Sequence, residues 1–287
     1  IAIKAYAKIN LGLDVLRKRP DGYHDIKTIM QTVSLYDTVI IRKTRFQTVT
    51  VSSNLNFLPT DQRNLAYKAV QVFREKYPFR EGLNIYLNKR IPVSAGLAGG
   101  SADAAATLKG LDRLYKTELS PEELMSLGLK VGADVPFCLL TGTALAEGIG
   151  EKLQPLPPMP DCHILLVKPD INVSTKYVYE NLRLNEEIRH PDIDAMHEAL
   201  RNKDLYRLAS LMENILETVT AREYPIIEEI KDKMKENGAL ASLMSGSGPT
   251  VYGIFDSQSK AEKAFGFFKS TVYGRQVVLT RPYNTLQ

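Results

Sequence analysis

A run of small residues between Pro92 and Ala106 constrains the fold more than any other part of the sequence. Its three glycines end abruptly, and an alanine-rich pattern typical of a helix follows. A helix N-terminus exposes unpaired N–H groups and the positive end of the helix dipole, so such a junction attracts anions, most often phosphate. The strand-like segment Leu83–Leu87 precedes the run, which predicts the order strand, glycine-rich loop, helix. The small residues could equally serve only to pack the helix against a sheet.

Length and charge narrow the range of functions. The chain has 287 residues, enough for two domains of roughly 100–200 residues each. Lysine and arginine total 37 against 33 aspartate and glutamate, and the net charge of +4 is too small to indicate a nucleic-acid or membrane surface. Cys138 and Cys162 form no CxxC motif, so the sequence predicts neither a disulfide framework nor a zinc site. With no long apolar run and no signal-like start, a cytoplasmic location is expected.

The first fifteen residues alternate in polarity. Odd positions are apolar from Ile1 to Val15, whereas the even positions include Lys8, Asn10 and Asp14. This period of two predicts a strand with one buried face, and it places Lys8 beside Asn10 on the other face. The two side chains could serve a polar site, or they could simply point into water.

A turn and an aromatic pair follow that strand. Pro20-Asp21-Gly22 is a turn signal, and Tyr23 and His24 open a returning strand that is expected to run to about Leu35, before another at Thr38–Arg42. A ring and an imidazole at a strand entrance could hold a flat ligand such as a nucleobase. They could also be a packing residue and a surface residue.

Asp134 stands among small and apolar neighbours, between Gly132-Ala133 and Val135-Pro136. A carboxylate in such surroundings is costly unless it is paired or used. Pro136 predicts a helix that begins just beyond Asp134, so the carboxylate could equally cap that helix.

The sequence lacks the motifs of several common classes of enzyme. The glycine-rich loop has neither the Gly-Lys-Ser/Thr of a Walker A motif nor the spacing of a dinucleotide-binding turn. His197 begins no zinc-protease motif, because Arg201 stands where the second histidine belongs. Ser245 and Ser247 lack the frame of a nucleophile elbow. Covalent catalysis and metal-dependent hydrolysis are therefore disfavoured.

The proline-rich stretch 151–160 is the best boundary between two domains, which we expect at residues 1–155 and 161–287. The second part predicts a mixture of helices and strands, and therefore an α+β fold. The expected elements after the boundary are a strand at Ile164–Val167, helices near 174–182, 192–202, 204–218 and 224–236, strands at Ala239–Leu243 and Val251–Phe255, a helix at 258–268 and a strand at 276–280.

Four segments in this order resemble the GHMP small-molecule kinases: Ala7–Leu11, Pro92–Ala106, Gly132–Pro136 and Ser245–Gly248. The resemblance spans nearly the whole chain. It implies a two-domain α+β GHMP kinase fold, with a ribosomal-protein-like N-terminal domain and a ferredoxin-like C-terminal domain. It also implies phosphorylation of a small alcohol by ATP, with Mg²⁺ as the metal. The protein ligands of that metal are left open.

The resemblance assigns roles to individual residues. Asp134 would accept the proton of the acceptor hydroxyl, and Lys8 would orient that hydroxyl and offset charge in the transition state. The residues implied for ATP are Pro92, Val93, Ser94, Ala95, Gly96, Leu97, Ala98, Gly99, Gly100 and Ser101 around the phosphates, and Asn64, Leu65 and Lys89 near the adenosine. Those implied for the acceptor substrate are Asn10, Tyr23, His24 and Tyr179, with Tyr177 competing for the place of Tyr179.

The segment Arg17–His24 is the part that implies a substrate with a cytidine diphosphate moiety. Two alternatives are a kinase of the same fold for another alcohol, such as homoserine or mevalonate, and a ligand sensor without activity. Tyr23 and His24 argue against the first, and the presence of both Lys8 and Asp134 argues against the second. Ser94, Ala95 and Ala98 stand where many members of the family have glycine. These substitutions keep the backbone N–H groups that would bind phosphate.

Overall fold

A computed structural model of the chain describes residues 1–184 and 189–284. The strands are β1 (Ala2–Lys18), β2 (His24–Thr44), β3 (Val49–Ser53), β4 (Gly82–Asn88), β5 (Thr143–Gly148), β6 (Lys152–Pro155), β7 (His163–Lys168), β8 (Ala241–Met244), β9 (Val251–Phe255) and β10 (Gln276–Thr280). The helices are α1 (Leu65–Lys76), α2 (Gly99–Tyr115), α3 (Pro121–Val131), α4 (Val135–Leu140), α5 (Thr175–Asn181), α6 (Ile193–Arg201), α7 (Leu205–Leu211), α8 (Glu217–Glu223), α9 (Ile226–Glu236) and α10 (Gln258–Lys269). None of these helices combines the length and the apolar character needed to cross a lipid bilayer.

The chain forms two compact units, each assembled from separate segments. Unit 1 consists of Ile1–Ala7, Leu35–Val93 and Ala98–Thr141. Unit 2 consists of Lys8–Ser34, Ser94–Leu97 and Gly142–Gln287. The predicted boundary between residues 155 and 161 divides the chain at one point in the sequence, whereas each compact unit combines three separate segments. The boundary stays a prediction.

In unit 1 the second half of β2 pairs antiparallel with β4, and β3 pairs parallel with β4. Helices α1 and α2 pack together, and Ser120 and Glu123 form a capping box at the start of α3. Gly110 on α2 allows close packing, because a Cβ atom there would lie 2.6 Å from Cδ1 of Ile41. The small residues of α2 therefore do pack the helix tightly, in addition to whatever its N-terminus binds.

In unit 2 the first half of β2 pairs antiparallel with β5, which pairs with β6. A second, antiparallel sheet has the order β10-β7-β9-β8. Helices α9 and α10 pack on this sheet. Their buried faces, which include Ile227, Ile230 and Phe268, form a core with Leu165 and Phe255 of the sheet.

Strand β2 is continuous, whereas the sequence predicted two strands at Tyr23–Leu35 and Thr38–Arg42. Asp37, the polar residue at the expected break, is buried. Its carboxylate accepts hydrogen bonds from the N–H groups of Arg90 and Ile91. Because these donors satisfy the carboxylate, a charged residue can stand inside the strand.

The predicted helix over 204–218 is wrong, since α7 ends at Leu211 and α8 begins at Glu217. Leu13 of β1 donates to the carbonyl of Glu213 and accepts from the N–H of Ile215, each at 3.0 Å. A hydrogen-bonded pairing with a strand two hundred residues earlier has no signature in helical periodicity. The short strands β3, β5 and β6 also lie outside the sequence prediction, and β6 falls within the proline-rich stretch 151–160 that marks the predicted domain boundary.

Candidate active site

The glycine-rich loop turns repeatedly through left-handed backbone conformations before α2 begins. The φ angles are +51° at Ser94, +74° at Gly96 and +55° at Ala98. Glycine adopts such angles without strain, whereas serine and alanine do so at a cost. No side chain caps α2 at Ala98, so the N–H groups of its first turn stay available to a ligand.

Gly96 lies directly against the second small-residue loop, Ser245–Gly248. A Cβ atom at Gly96 would overlap the carbonyl oxygen of Ser245, so no larger residue fits. The Ser245 hydroxyl donates to the Gly96 carbonyl at 2.9 Å, and the Thr250 N–H donates to the Ala95 carbonyl at 3.4 Å. Unit 2 thus brings together two loops that are about 150 residues apart in the sequence.

Lys8 and Asn10 are neighbours on one face of β1, as the alternation predicted, but the alternative that they face water is wrong. Lys8 is 5% exposed and Asn10 1% exposed. Lys8 Nζ donates to Asn10 Oδ1 at 2.7 Å, and Asn10 Nδ2 donates to the Thr28 hydroxyl at 2.9 Å. Lys8 forms no ion pair with any residue in 1–184 or 189–284. The Lys8 ammonium is therefore hydrogen-bonded to a neutral amide rather than to a carboxylate.

Asp134 occupies the N-cap position of α4 without acting as a cap. Its side chain makes no capping hydrogen bond, and its backbone is already helical, with φ −81° and ψ −9°. Across the described ranges, no hydrogen bond or ion pair to this half-buried carboxylate is present. The capping interpretation is wrong for the side chain, and the carboxylate remains able to accept a proton from a ligand.

His24 contacts Tyr179, with their ring centroids 5.2 Å apart and the ring planes at 35°. Burial lowers the pKa of His24, and the positive charge of Lys18 lowers it further. A neutral imidazole carries one donor and one acceptor, which suits the edge of a nucleobase. Tyr23 is 59% exposed. Of the two competing tyrosines, Tyr179 lies beside His24, and the hydroxyl of Tyr177 lies 3.5 Å from Glu223 Oε2.

Asn64 and Leu65 lie at the start of α1. The Asn64 side chain caps the helix by accepting from the Ala66 N–H at 3.0 Å, and it donates to the Pro59 carbonyl at 2.8 Å. A Cβ atom at Gly100 would lie 3.5 Å from Cδ1 of Leu65. Leu65 therefore borders the first turn of α2, where a nucleotide phosphate is expected.

Lys89 belongs to a buried charge cluster with Asp37 and Asp103, which we call the Lys89 cluster. Its ammonium donates to Asp37 and, at 2.5 Å, to Oδ2 of Asp103. Burial lowers the pKa of Lys89, but the charges of Asp103 and Asp37 outweigh that effect and raise it. A Cβ atom at Gly99 would lie 3.5 Å from Lys89 Nζ, so the Lys89 cluster lies under the first turn of α2.

Asp103 is the unusual member of the Lys89 cluster. Burial raises its pKa to about 7 against the lowering effect of Lys89, and the charge of Asp37 adds to the rise. Its Oδ1 atom is buried without a hydrogen-bond partner. The sequence analysis missed both aspartates, although a single aspartate inside the alanine-rich start of α2 was a signal that could have been used.

Magnesium has no protein-built centre in the described part of the chain. No group of three or more histidine, cysteine, aspartate or glutamate side chains there could hold a metal ion. Nucleotide-bound Mg²⁺ generally takes its ligands from phosphates and water, with one or two carboxylates at most.

Comparison with known proteins identifies the family. Family models described as the GHMP kinases N terminal domain and the GHMP kinases C terminal match residues 64–142 and 196–274. A protein of Lachnoclostridium phytofermentans named 4-diphosphocytidyl-2-C-methyl-D-erythritol kinase is 56% identical over 98% of this chain and 97% of its own length.

Solved structures agree with the family models. The crystal structure of a 4-(cytidine 5'-diphospho)-2C-methyl-D-erythritol kinase matches with a TM-score of 0.82 and 33% identity, covering 98% of this chain and 99% of that one. Homoserine kinase from Cytophaga hutchinsonii matches with a TM-score of 0.77 over 99% of this chain and 95% of that one, but at 20% identity it supports the fold alone. The expected two-domain α+β fold of a small-molecule kinase is confirmed. The chain belongs to the GHMP kinases, and within them to the 4-diphosphocytidyl-2-C-methyl-D-erythritol kinases.

Proposed function

We propose that this protein transfers the γ-phosphoryl group of ATP to the 2-hydroxyl of 4-diphosphocytidyl-2-C-methyl-D-erythritol, in the non-mevalonate route to isoprenoid precursors. The observation that carries the proposal is 56% identity, over nearly the whole chain, to a kinase named for this substrate. Kinases of homoserine and mevalonate share the fold at 20% identity or less. A sensor without activity is disfavoured, because both Lys8 and Asp134 are present.

The cytidine end of the substrate is assigned to His24, Tyr179 and Tyr23. A neutral His24 imidazole has the donor and the acceptor needed to bind the cytosine edge. Tyr179 and the exposed ring of Tyr23 offer aromatic faces for stacking. Hydrogen bonds and stacking to the base give specificity for the nucleotide-linked alcohol over smaller alcohols.

The phosphates of ATP are assigned to the loop from Pro92 to Ser101. Its main-chain N–H groups and the uncapped N-terminus of α2 supply donors and a favourable dipole. Leu65 borders this turn, and Asn64 and Leu65 are assigned to the adenosine. The ammonium of Lys89 is already bound by two aspartates and its main chain by Asn54, so only its alkyl stem is assigned to that end.

The chemical step is assigned to Lys8 and Asp134. The acceptor oxygen attacks the γ-phosphorus, the bond from that phosphorus to the β–γ bridging oxygen breaks, and ADP leaves. Asp134 takes the hydroxyl proton, while Lys8 orients the hydroxyl and offsets charge in the transition state. Asn10 fixes the direction of the Lys8 ammonium. Mg²⁺ bound to the phosphates of ATP would neutralise their charge.

The sequence domains 1–155 and 161–287 are part of the same proposal. The two family matches support it, because residues 64–142 and 196–274 fall on opposite sides of the boundary.

A substrate panel tests the proposed function. Purified protein is supplied with ATP, Mg²⁺ and one of three alcohols: 4-diphosphocytidyl-2-C-methyl-D-erythritol, homoserine or mevalonate. We expect the cytidyl alcohol to be phosphorylated fastest. Faster turnover of homoserine or mevalonate would refute the proposed substrate. Asp134→Asn should remove most turnover in the same assay while leaving the affinity for ATP unchanged.

The adjacent tyrosines give a matched test of the cytidine site. Tyr179→Leu should raise KM for the cytidyl alcohol about tenfold and leave KM for ATP unchanged, because base stacking contributes about 1–3 kcal/mol. Tyr177→Leu on the same helix is the control, and we expect little change in either KM. A larger effect at Tyr177 than at Tyr179 would reverse the assignment.

A further inference from the structure

Three polar side chains from one short segment bind the main chain of the Ser245–Gly248 loop and the residue before it. Asn214 Nδ2 donates to the carbonyls of Met244 and Gly246, each at 2.8 Å. Glu217 Oε1 accepts from the Met244 N–H at 2.6 Å, and the Thr220 hydroxyl donates to the Ser247 carbonyl at 3.2 Å. We call Asn214, Glu217 and Thr220 the loop clamp. It determines the path of the loop without using any loop side chain.

Asn214 is the member of the loop clamp whose side chain makes the most hydrogen bonds to the main chain. It is 3% exposed, and both of its amide hydrogens bind loop carbonyls, while its Oδ1 accepts from the Leu216 N–H at 3.0 Å. An aspartate of the same shape would turn a carboxylate oxygen toward two carbonyl oxygens. The residues on either side, Glu213 and Ile215, are hydrogen-bonded to Leu13. Asn214 is therefore anchored to β1, the strand that carries Lys8.

The clamped loop lies beside two groups that the proposed chemistry uses. Gly246 has a φ of +58°, and a Cβ atom there would lie 3.5 Å from Lys8 Nζ and 3.4 Å from the Gly96 carbonyl oxygen. The same Cβ would lie 3.5 Å from Oδ1 of Asn10, the acceptor that holds the ammonium. A displacement of this main chain toward β1 would therefore act on the ammonium and on the glycine-rich loop together.

We propose that Asn214 is a positioning residue for phosphoryl transfer: by fixing the Ser245–Gly248 loop, it holds the Lys8 ammonium and Gly96 in their working positions. The inference rests on the proposed function for the roles of Lys8 and Gly96. Asn214 itself contacts no substrate. Its effect on rate passes through the loop, and misplacement of reacting groups by about an ångström can cost about a hundredfold in rate.

The test compares Asn214→Ala with Ser242→Ala. Ser242→Ala on β8 removes one buried hydrogen bond to the main chain, from the hydroxyl to the Tyr252 carbonyl, whereas Asn214→Ala removes three; Ser242 does not bind the loop. We expect kcat to fall about tenfold to a hundredfold in Asn214→Ala and less than about threefold in Ser242→Ala. Thr220→Val, a milder change in the loop clamp, should give an intermediate loss and covers the case in which Asn214→Ala folds poorly.

A double variant separates positioning from general destabilisation. If Asn214 acts through Lys8, Asn214→Ala should lower kcat much less in a Lys8→Met background than in the wild-type protein, because the two changes disable the same group. Fully multiplicative losses, or equal losses in Asn214→Ala and Ser242→Ala, would overturn the proposal.

Amide hydrogen exchange provides a readout that needs no substrate. Peptides covering residues 243–250 should exchange faster in Asn214→Ala than in wild type, and those in Ser242→Ala should not change at 245–248. Unchanged exchange in Asn214→Ala would reject the loop clamp. If the panel instead shows homoserine as the preferred alcohol, the proposed function fails, and the kcat ratios measured with homoserine still decide the role of Asn214.

Discussion

Two buried lysines, Lys8 in unit 2 and Lys89 in unit 1, differ in the groups that bind their ammonium ions. Lys89 binds the carboxylates of Asp37 and Asp103. Lys8 binds the amide oxygen of Asn10 and forms no ion pair with a described residue. A buried ammonium that is bound by carboxylates mainly serves the fold, because its charge is already compensated. A buried ammonium held only by an amide keeps its charge available to an anionic transition state.

The contrast also separates the two lysines in the proposed mechanism, because a position next to the proposed phosphate-binding turn does not by itself make a lysine catalytic. Lys89 Nζ lies under the first turn of α2. Its ammonium donates to two buried carboxylates, and losing either pairing would leave a charge buried without a partner. We therefore expect that substitutions at Lys89 change stability first and that substitutions at Lys8 change rate first.

Lys89→Met should give the largest effect on stability. Removing the ammonium leaves Asp37 and Asp103 buried against each other, and breaking a buried pair in this way costs about 3–5 kcal/mol. Urea denaturation measures the free energy of unfolding. A loss below about 1 kcal/mol would show that the Lys89 cluster is not structural.

Lys8→Met should lower kcat about 10²- to 10³-fold, equivalent to about 2.7–4 kcal/mol of transition-state stabilisation. The free energy of unfolding should stay the same or rise, because a buried ammonium without a carboxylate partner is costly to the fold. Lys4→Met, at an exposed position on the same strand, is the control and should change neither quantity strongly. If Lys8→Met loses stability as Lys89→Met does, the distinction between the two lysines is wrong.

Asn10→Asp tests the comparison by giving Lys8 a partner of the kind that Lys89 has. A carboxylate 2.7 Å from the ammonium would compensate its charge. We expect kcat to fall about tenfold, which corresponds to about 1.4 kcal/mol, with the fold retained. Steady-state kinetics and a thermal melt of the same sample measure both quantities. An unchanged kcat would mean that the charge of Lys8 does not act on the reaction.

Asp103→Asn should change how stability depends on pH, which is the smallest of these effects. The pKa of Asp103 is raised from 3.8 to about 7 in the folded protein. Between these values the folded state binds more protons at this site than the unfolded state, so its contribution to stability falls as pH rises. The Tm of wild type relative to Asp103→Asn should therefore decrease from about pH 4 to about pH 7. A constant difference in Tm across that range would contradict the raised pKa.

Local patterns predicted the parts of the site that depend on short-range geometry. The alternation in β1 placed Lys8 beside Asn10, and the change from glycine to alanine placed the start of α2. Alternation did not predict that both faces of β1 are buried from Ala7 to Val15. Whether a polar strand face is covered depends on elements that come later in the chain.

The missed features are contacts between residues far apart in sequence. Lys89 is separated from Asp37 by 52 residues and from Asp103 by 14, so nothing near Lys89 shows that its charge is already compensated. Asn214 fits a helical pattern, and the helix is broken there by main-chain hydrogen bonds to Leu13 and by the hydrogen bonds of Asn214 to Met244 and Gly246, all far away in sequence. In the segment 185–188, which lies outside the described residues, no site residue was predicted.

Single-turnover transfer from γ-labelled ATP to 4-diphosphocytidyl-2-C-methyl-D-erythritol tests the central claim most directly, with wild type and Lys8→Met compared at saturating substrates. We predict that wild type phosphorylates the 2-hydroxyl and that Lys8→Met, with unchanged affinity for ATP, does so at least about a hundredfold more slowly. Transfer by Lys8→Met at the wild-type rate, or no transfer to this alcohol by wild type, would contradict the account.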